Sequence, residues 1–349
     1  MGAKSDRQPV IGMDLGGTKI LAGIVAEDGK ILGTAKRPTK PESGPAAIAD
    51  RMARVAREAV EDAGLKMGDL AAIGTGVPGP LDPDEGVVLT APNLAGWHDV
   101  PLAAMLTERL ALPAFINNDV RLGTLGEFTL GAGHGASEMV GIFIGTGIGG
   151  GLILDGKLRE GWRKTAGELG HMTMLPDGPV CGCGNRGCLE ALASRTAIER
   201  DIAAGIKAGR TSMVPKLMEK DGRERLTSSV LAEALNKDDT LVCEVITRAQ
   251  HYLGLAVASI VNLLDVERVI LGGGVVQALG EPFLGPIREV AYQNFINKRR
   301  ARDVRILPGE LGDSAGLLGA ATYARQRLAA QTANGQGHTT QRMCGEHLR

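Results

Sequence analysis

Short apolar runs alternate with longer helical repeats along most of the chain. Residues 10–14 form an apolar, strand-like run, Gly16 and Gly17 interrupt it, and residues 20–25 resume it. Asp28 and Gly29 turn the chain into a third strand at 30–37, so the protein opens with an antiparallel meander. Residues 44–64 are alanine-rich at helical spacing and end on a glycine, as a helix should. Strands follow at 71–76 and 114–116, with helices at 101–110 and 120–128. The first of these strands leaves through the Pro/Gly loop 77–80, and residues 92–94 lie in a further loop; both suit ligand contacts.

The second half starts the same way. A strand at 139–144 runs into glycines spread over 145–151, and Leu152 continues in a new strand toward a turn at Asp155 and Gly156. The glycines match GxGxxG, but a dinucleotide fingerprint needs a helix after them, and a strand follows instead. Gly151, Gly156 and Lys157 imitate a Walker A loop, yet Leu158 stands where Ser or Thr must hold magnesium. What remains is a second strand, glycine turn and strand, like the one after Asp14. Two such hairpins, each opening a domain, imply a duplicated fold with phosphates held between them.

Beyond residue 190 the spacing predicts a helix at 194–208, surface helices in the polar stretch 211–239 and a long buried helix at 241–264. A strand at 266–271 ends in Gly272, Gly273 and Gly274, either an anion-accepting turn or a tight packing turn. A helix beginning at Pro286, a solvated basic cluster at 298–302 and a strand at 304–307 come next. Asp313 or Ser314 caps a last helix ending near residue 328. From about residue 330 the chain is polar and expected to be disordered.

Composition narrows the function. At 349 residues the chain is long enough for two domains. A net charge of −1 gives no electrostatic footprint for nucleic acid or anionic lipid. Aromatic residues are only 3% of the chain, so a polar ligand must be read by hydrogen bonds rather than by stacking. The start has no signal-peptide core and no apolar run reaches membrane-spanning length. Five cysteines, an odd number, suggest a reducing compartment, and the expected location is the cytoplasm.

Three of those cysteines, Cys181, Cys183 and Cys188, lie within eight residues of one another among glycines, ten residues after His171. Three thiolates and an imidazole make a complete tetrahedral set for Zn²⁺, which is the signature of a structural site; the bland alternative is a loop of inert thiols. Such a metal would pin Glu168 and Glu190 near each other, two acceptors for a ligand rich in hydroxyls. Asp14, with the glycines after it, fits a phosphate loop with hydrated Mg²⁺ or an ordinary hairpin turn. Asp119 sits between a strand and a helix. Locally it reads first as an N-cap and second as a general base beside Asn118.

Taken together, these pieces resemble the ROK family of sugar kinases, repressors and open reading frames, specifically its bacterial ATP-dependent glucokinase branch. The matching positions are Asp14 with Gly16, Gly17, Thr18 and Lys19; the loop from Val77 to Pro80; Asn118 and Asp119; Gly145 to Gly151; Glu168 and His171; Cys181, Cys183, Cys188 and Glu190; and Gly272 to Gly274. The resemblance implies an α/β, actin-like ATPase (ribonuclease H-like) fold of duplicated domains around a cleft. It also implies a small domain of residues 1–118 and 312–330, and a large domain of 119–311 with the zinc loop and a dimerisation surface. By the same resemblance Asp119 is the catalytic base. Gly79, Asn93, Asn118, Asp119, Glu168, His171 and Glu190 would contact the sugar. Asp14, Gly16, Gly17, Thr18, Lys19, Gly145, Thr146, Gly147, Gly149, Gly273 and Gly274 would face ATP and Mg²⁺. The implied reaction is phosphorylation of the 6-hydroxyl of glucose, with other hexoses, polyphosphate as donor or a sugar-responsive repressor as alternatives. A homodimer or larger homo-oligomer is expected.

Overall fold

The computed structural model describes residues 8–91, 93–220, 222 and 226–344, with side chains described as far as residue 333. The chain forms two compact units: Met1–Leu130 with Gly161–Thr165 and Ser314–Arg349, and Gly131–Glu160 with Ala166–Asp313. Unit 1 contains β1 (Val10–Leu15), β2 (Lys19–Val25), β3 (Ile31–Pro38), α1 (Gly44–Asp62), β4 (Ile73–Val77), β5 (Leu81–Asp82), β6 (Val87–Thr90), β7 (His98–Val100), α2 (Leu102–Leu110), β8 (Ala114–Asn118) and α3 (Asp119–Leu130). Unit 2 contains β9 (Met139–Ile144), β10 (Ile148–Leu154), β11 (Lys157–Leu158), α4 (Leu189–Ala193), α5 (Arg195–Lys207), α6 (Val214–Lys220), α7 (Ser228–Asn236), α8 (Thr240–Leu264), β12 (Arg268–Gly272), α9 (Gly274–Leu279), α10 (Glu281–Asn294) and β13 (Arg305–Pro308). The last helix, α11 (Ala315–Cys344), belongs to unit 1.

Each unit is built on a five-stranded sheet, and the two sheets have the same order. Unit 1 reads β3-β2-β1-β4-β8 and unit 2 reads β11-β10-β9-β12-β13. In both, the first strand pairs antiparallel with the second and parallel with the fourth. The duplication expected from the paired glycine hairpins is therefore present strand for strand. A three-stranded sheet, β5-β6-β7, is an addition to unit 1 that the hydrophobic pattern did not announce. Its strands, of two to four residues, are too short to display a period.

In unit 1, α11 lies on the sheet at backbone distance. A Cβ on Gly12 of β1 would stand 2.1 Å from Leu317 O, and one on Gly74 of β4 would stand 1.8 Å from Ala320 O. A Cβ on Gly319 would come within 1.7 Å of Leu122 O of α3, so α3 and α11 are seated equally close. That packing goes with the placement of α3 in unit 1. Helix α11 is assigned from Ala315 to Cys344.

In unit 2, α8 is buried along most of its length and packs on α10, with Gly254 under Val290. Helix α10 begins at Glu281, not at Pro286, which sits inside it. Proline removes the amide that would bond the carbonyl four residues back. Gln250, buried on α8, supplies the missing donor: its Nε2 bonds Pro282 O at 2.9 Å and Phe283 O at 3.2 Å. The stretch expected to form surface helices contributes to the core as well, because Val230, Leu231 and Ala234 of α7 are fully buried.

Candidate active site

Unit 1 brings its predicted residues to the carboxyl ends of three adjacent strands, where open α/β sheets bind ligands. Asp14 ends β1 next to Gly76 of β4, and Asp119 follows β8. A Cβ on Gly76 would lie 3.2 Å from the Asp119 Cα and 3.7 Å from Asp14 Oδ1. Gly316, in the first turn of α11, also meets the Asp14 carboxylate, its own Cβ position lying 3.6 Å from Asp14 Cγ. The Asp14 carboxylate and the Asp119 backbone thus meet at Gly76. Neither Gly76 nor Gly316 stood out in the sequence, since a glycine in a strand or helix start has many other uses.

The local role of Asp119 differs from the N-cap reading. Asn118 does the capping, its Oδ1 accepting from Val120 N at 3.1 Å and Arg121 N at 3.2 Å. Asp119 is the first residue of α3, and its Oδ1 accepts from Val120 N at 2.9 Å. Asn117, buried beneath them, accepts from Asn118 N.

The turn after Asp14 is closed by a bond from Gly16 N to Lys19 O. Gly17 faces Asn93, whose Cβ would be 3.8 Å from a Cβ there, so the loop at 93 and the glycine turn are neighbours. Thr18 is exposed, and Lys19 pairs with Pro38 of β3. Gly79 has φ +94° and hugs Thr90 O, a conformation and a closeness that both require glycine.

Unit 2 gathers a second group. Glu190, on the first turn of α4, accepts from Ile148 N at 2.9 Å through Oε2. A Cβ on Gly147 would fall 2.2 Å from that oxygen, so a side chain there would displace the Glu190 carboxylate. The Gly145–Gly147 turn is further held by α5: Arg195 N–H donates to Gly145 O, Arg195 Nη2 to Thr146 Oγ1 at 2.7 Å, and Thr196 Oγ1 to Thr146 O at 2.8 Å. Gly149 pairs with Phe143 in the ladder. Gly273, at φ +90°, presses against Ile144 O, and Gly274 opens α9 close to Ser228. The turn at 145 and the turn at 273 therefore adjoin.

Between β11 and α4 the chain forms the cysteine loop. Gly187 has φ +69°, and its Cβ would collide with Leu175 O at 1.6 Å, while Gly184, at φ +90°, closes the turn between Cys181 and Cys188. His171, Cys181, Cys183 and Cys188 converge so that one donor atom from each lies within 4.8 Å of the others. The Cys183 and Cys188 sulfurs are 3.7 Å apart, and Cys181 Sγ is 3.7 Å from His171 Nδ1. Tetrahedral Zn–S bonds of about 2.3 Å place sulfurs roughly 3.8 Å apart, so the donor set fits Zn²⁺ in kind, number and spacing. Burial pushes the Cys181 thiol up to about 12 and raises Cys188 as well, while the Asn185 backbone amide holds Cys183 down. A divalent cation reverses the burial penalty by binding the thiolates directly. Glu190 Oε1 lies 3.5 Å from Cys181 Sγ, which links this loop to the glycine turn. Glu168, exposed, precedes the short turn Leu169–His171.

The ROK family profile matches residues 10–327. The chain belongs to the ROK family. It is 37% identical over 319 residues to a glucokinase of Thermotoga maritima, covering 91% of this chain and 98% of that one. A ROK family glucokinase from Streptomyces griseus, solved with glucose and AMPPNP, superposes with a TM-score of 0.78 at 35% identity, covering 91% and 99% of the two chains. A ROK family transcriptional regulator superposes with a TM-score of 0.80 at 27% identity, over 92% of this chain and 78% of that one. The ROK chain thus has the duplicated, actin-like ATPase fold. Among the described residues no helix is long and apolar enough to cross a membrane.

Proposed function

We propose that this ROK protein is an ATP-dependent hexokinase that phosphorylates glucose at its 6-hydroxyl, with Asp119 as general base. One observation carries the reading: Asp119 and Asp14 flank the same glycine at the strand ends, in a chain that resembles glucokinases over nine-tenths of its length. Asp119 accepts the hydroxyl proton as the oxygen attacks, and its bond from Val120 N–H holds the carboxylate in one orientation. Asn118, whose oxygen is engaged in the cap, offers its amide nitrogen to a sugar hydroxyl. Asn93, Gly79, Glu168, His171 and Glu190 supply the remaining polar contacts. Asp14 and the glycine turn after it face the phosphates, as do the turns at Gly145 and Gly273. Mg²⁺ on the donor would neutralise charge on the transferring group. Zn²⁺, held by His171, Cys181, Cys183 and Cys188, would have all four positions filled and would serve only to hold the loop.

The test is Asp119→Asn in a coupled assay. Turnover is expected to fall by about 10²–10⁴-fold while glucose affinity stays within a few-fold of wild type. Activity within a few-fold of wild type would remove Asp119 from the base role. A panel of mannose, fructose, N-acetylhexosamines and polyphosphate in the same assay fixes the substrate pair, since single hydroxyl contacts set such preferences. The likeness to a transcriptional regulator supports a second reading, a sugar-responsive repressor. Retardation of operator-like DNA without kinase turnover would favour it.

A further inference from the structure

Thr39 is the first residue after β3 and is fully buried. Both its polar ends address the glycine turn between β1 and β2. Its hydroxyl donates to Gly16 O at 2.6 Å, and its N–H donates to Thr18 O at 2.9 Å. Its own carbonyl accepts from Arg51 Nη1 on α1, and Arg51 also reaches Ser43 Oγ at 3.5 Å. Helix α1 is anchored in the core through Ile48, Met52 and Val55, all fully buried. The turn is therefore braced from behind, through Thr39, by a rigid helix. On the same segment Pro41 O accepts from Ala95 N, which ties down the loop that carries Asn93.

A trans peptide holds its N–H opposite its C=O. Drawing the Gly16 carbonyl toward Thr39 turns the Gly17 N–H to the other side of the turn. Among the described residues, a Cβ on Gly17 would meet only Asn93 Cβ, at 3.8 Å. Without the hydroxyl the peptide between Gly16 and Gly17, flanked by two glycines, has little to stop it from flipping. A donor that is already oriented costs no reorganisation when charge develops on the transferring group.

We propose that Thr39 is a positioning residue for phosphoryl transfer: its hydroxyl fixes the Gly16–Gly17 peptide so that the Gly17 N–H is presented to the phosphoryl donor. The inference rests on reading the Asp14–Lys19 turn as phosphate-facing.

Thr39→Val keeps the side-chain shape and removes the hydroxyl. The KM for ATP is expected to rise and kcat to fall, each by about tenfold, because an oriented donor is lost rather than a binding surface. The glucose Kd from calorimetry should stay within about twofold, the melting temperature should fall by a few degrees for the lost hydrogen bond, and Thr39→Ser should restore the ATP parameters. Wild-type ATP parameters in Thr39→Val, a parallel loss of glucose binding and melting temperature, or no rescue by serine would each overturn the proposal. Arg51→Lys loosens the same brace from α1 and should shift the ATP KM in the same direction by a smaller factor; it decides the matter if Thr39→Val does not fold. Gly17→Ala separates the two levels of the argument. If it impairs ATP use while Thr39→Val does not, only the role of Thr39 falls; if it leaves ATP use untouched, the phosphate reading of the turn falls.

Discussion

The two units share a strand order and a glycine hairpin after the first strand, yet each hairpin is held by a different kind of bolt. In unit 1 the turn at Gly16 is fixed through its carbonyls by Thr39, which β3 delivers from about twenty residues downstream. In unit 2 the turn at Gly145 is fixed by residues more than forty positions away: a carboxylate, Glu190, and the start of α5. Glu190 is in turn attached to the cysteine loop. One unit therefore has a self-contained turn, and the other has a turn whose geometry depends on a metal-sized cluster of donors. Duplication supplied the scaffold, and the later segments differentiated it.

Disrupting the proposed metal site is the strongest way to break that contrast. Cys188→Ser, or prolonged chelation, would deprive the loop of the proposed Zn²⁺ cross-link and leave its thiols with no cation. Loss of a structural metal ranks with the largest single-site effects, about 3–5 kcal/mol, or on the order of 10 °C for a unit of this size. Calorimetry should show the transition that reports on unit 2 moving down while hydrogen exchange in β1 and β2 stays protected. Equal loosening of both hairpins would mean that the unit 1 turn is not independent of the loop.

The sequence made the sheets legible and the bolts illegible, for a physical reason. Strand periods and glycine turns are local, so the opening meander and its repeat at Met139 could be read directly, as could the spacing of Cys181, Cys183 and Cys188. Thr39, Gly76 and Gly316 act across the fold, and no local pattern marks a threonine whose partner is a carbonyl in a distant turn. The local pattern suggests Asp119 as a cap because caps are local, but Asn118 one residue earlier has the better geometry for it. Proline at 286 suggests a helix start because it is common there; the compensation by Gln250, thirty-six residues upstream, is invisible without the fold.

That compensation gives the next prediction, a test of how unit 2 is packed. Gln250→Leu removes the side-chain donor from Pro282 O and Phe283 O and should cost about 1 kcal/mol in denaturant unfolding. Pro286→Ala restores the helical amide to the same carbonyl. In that background Gln250→Leu should cost less, giving a coupling energy on the order of 1 kcal/mol. An additive double mutant would show that Gln250 contributes by packing alone.

The smallest expected effect separates the units by how each anchors a carboxylate. In unit 2, burial works to raise the Asp239 carboxyl, but bonds from Met213 N–H, Val242 N–H and the Ser212 hydroxyl outweigh it and hold the group below the ordinary range. In unit 1, hydrogen bonds from Lys164 and then Arg327 hold the half-exposed Asp84 down. Both folded-state values are depressed, so both contributions are present above the unfolded carboxyl value, near pH 4, and are lost as pH falls through the folded value. Salt distinguishes them. The Asp84 pairs are solvent-screened ion pairs and should contribute little once salt is raised to about 0.5 M. Asp239 is held by backbone amides as the N-cap of α8, so Asp239→Ala should lose about 1 kcal/mol at neutral pH at either ionic strength. If the acid-side loss attributable to Asp239 also faded with salt, its anchoring would be ionic after all, and the two units would hold their carboxylates in the same way.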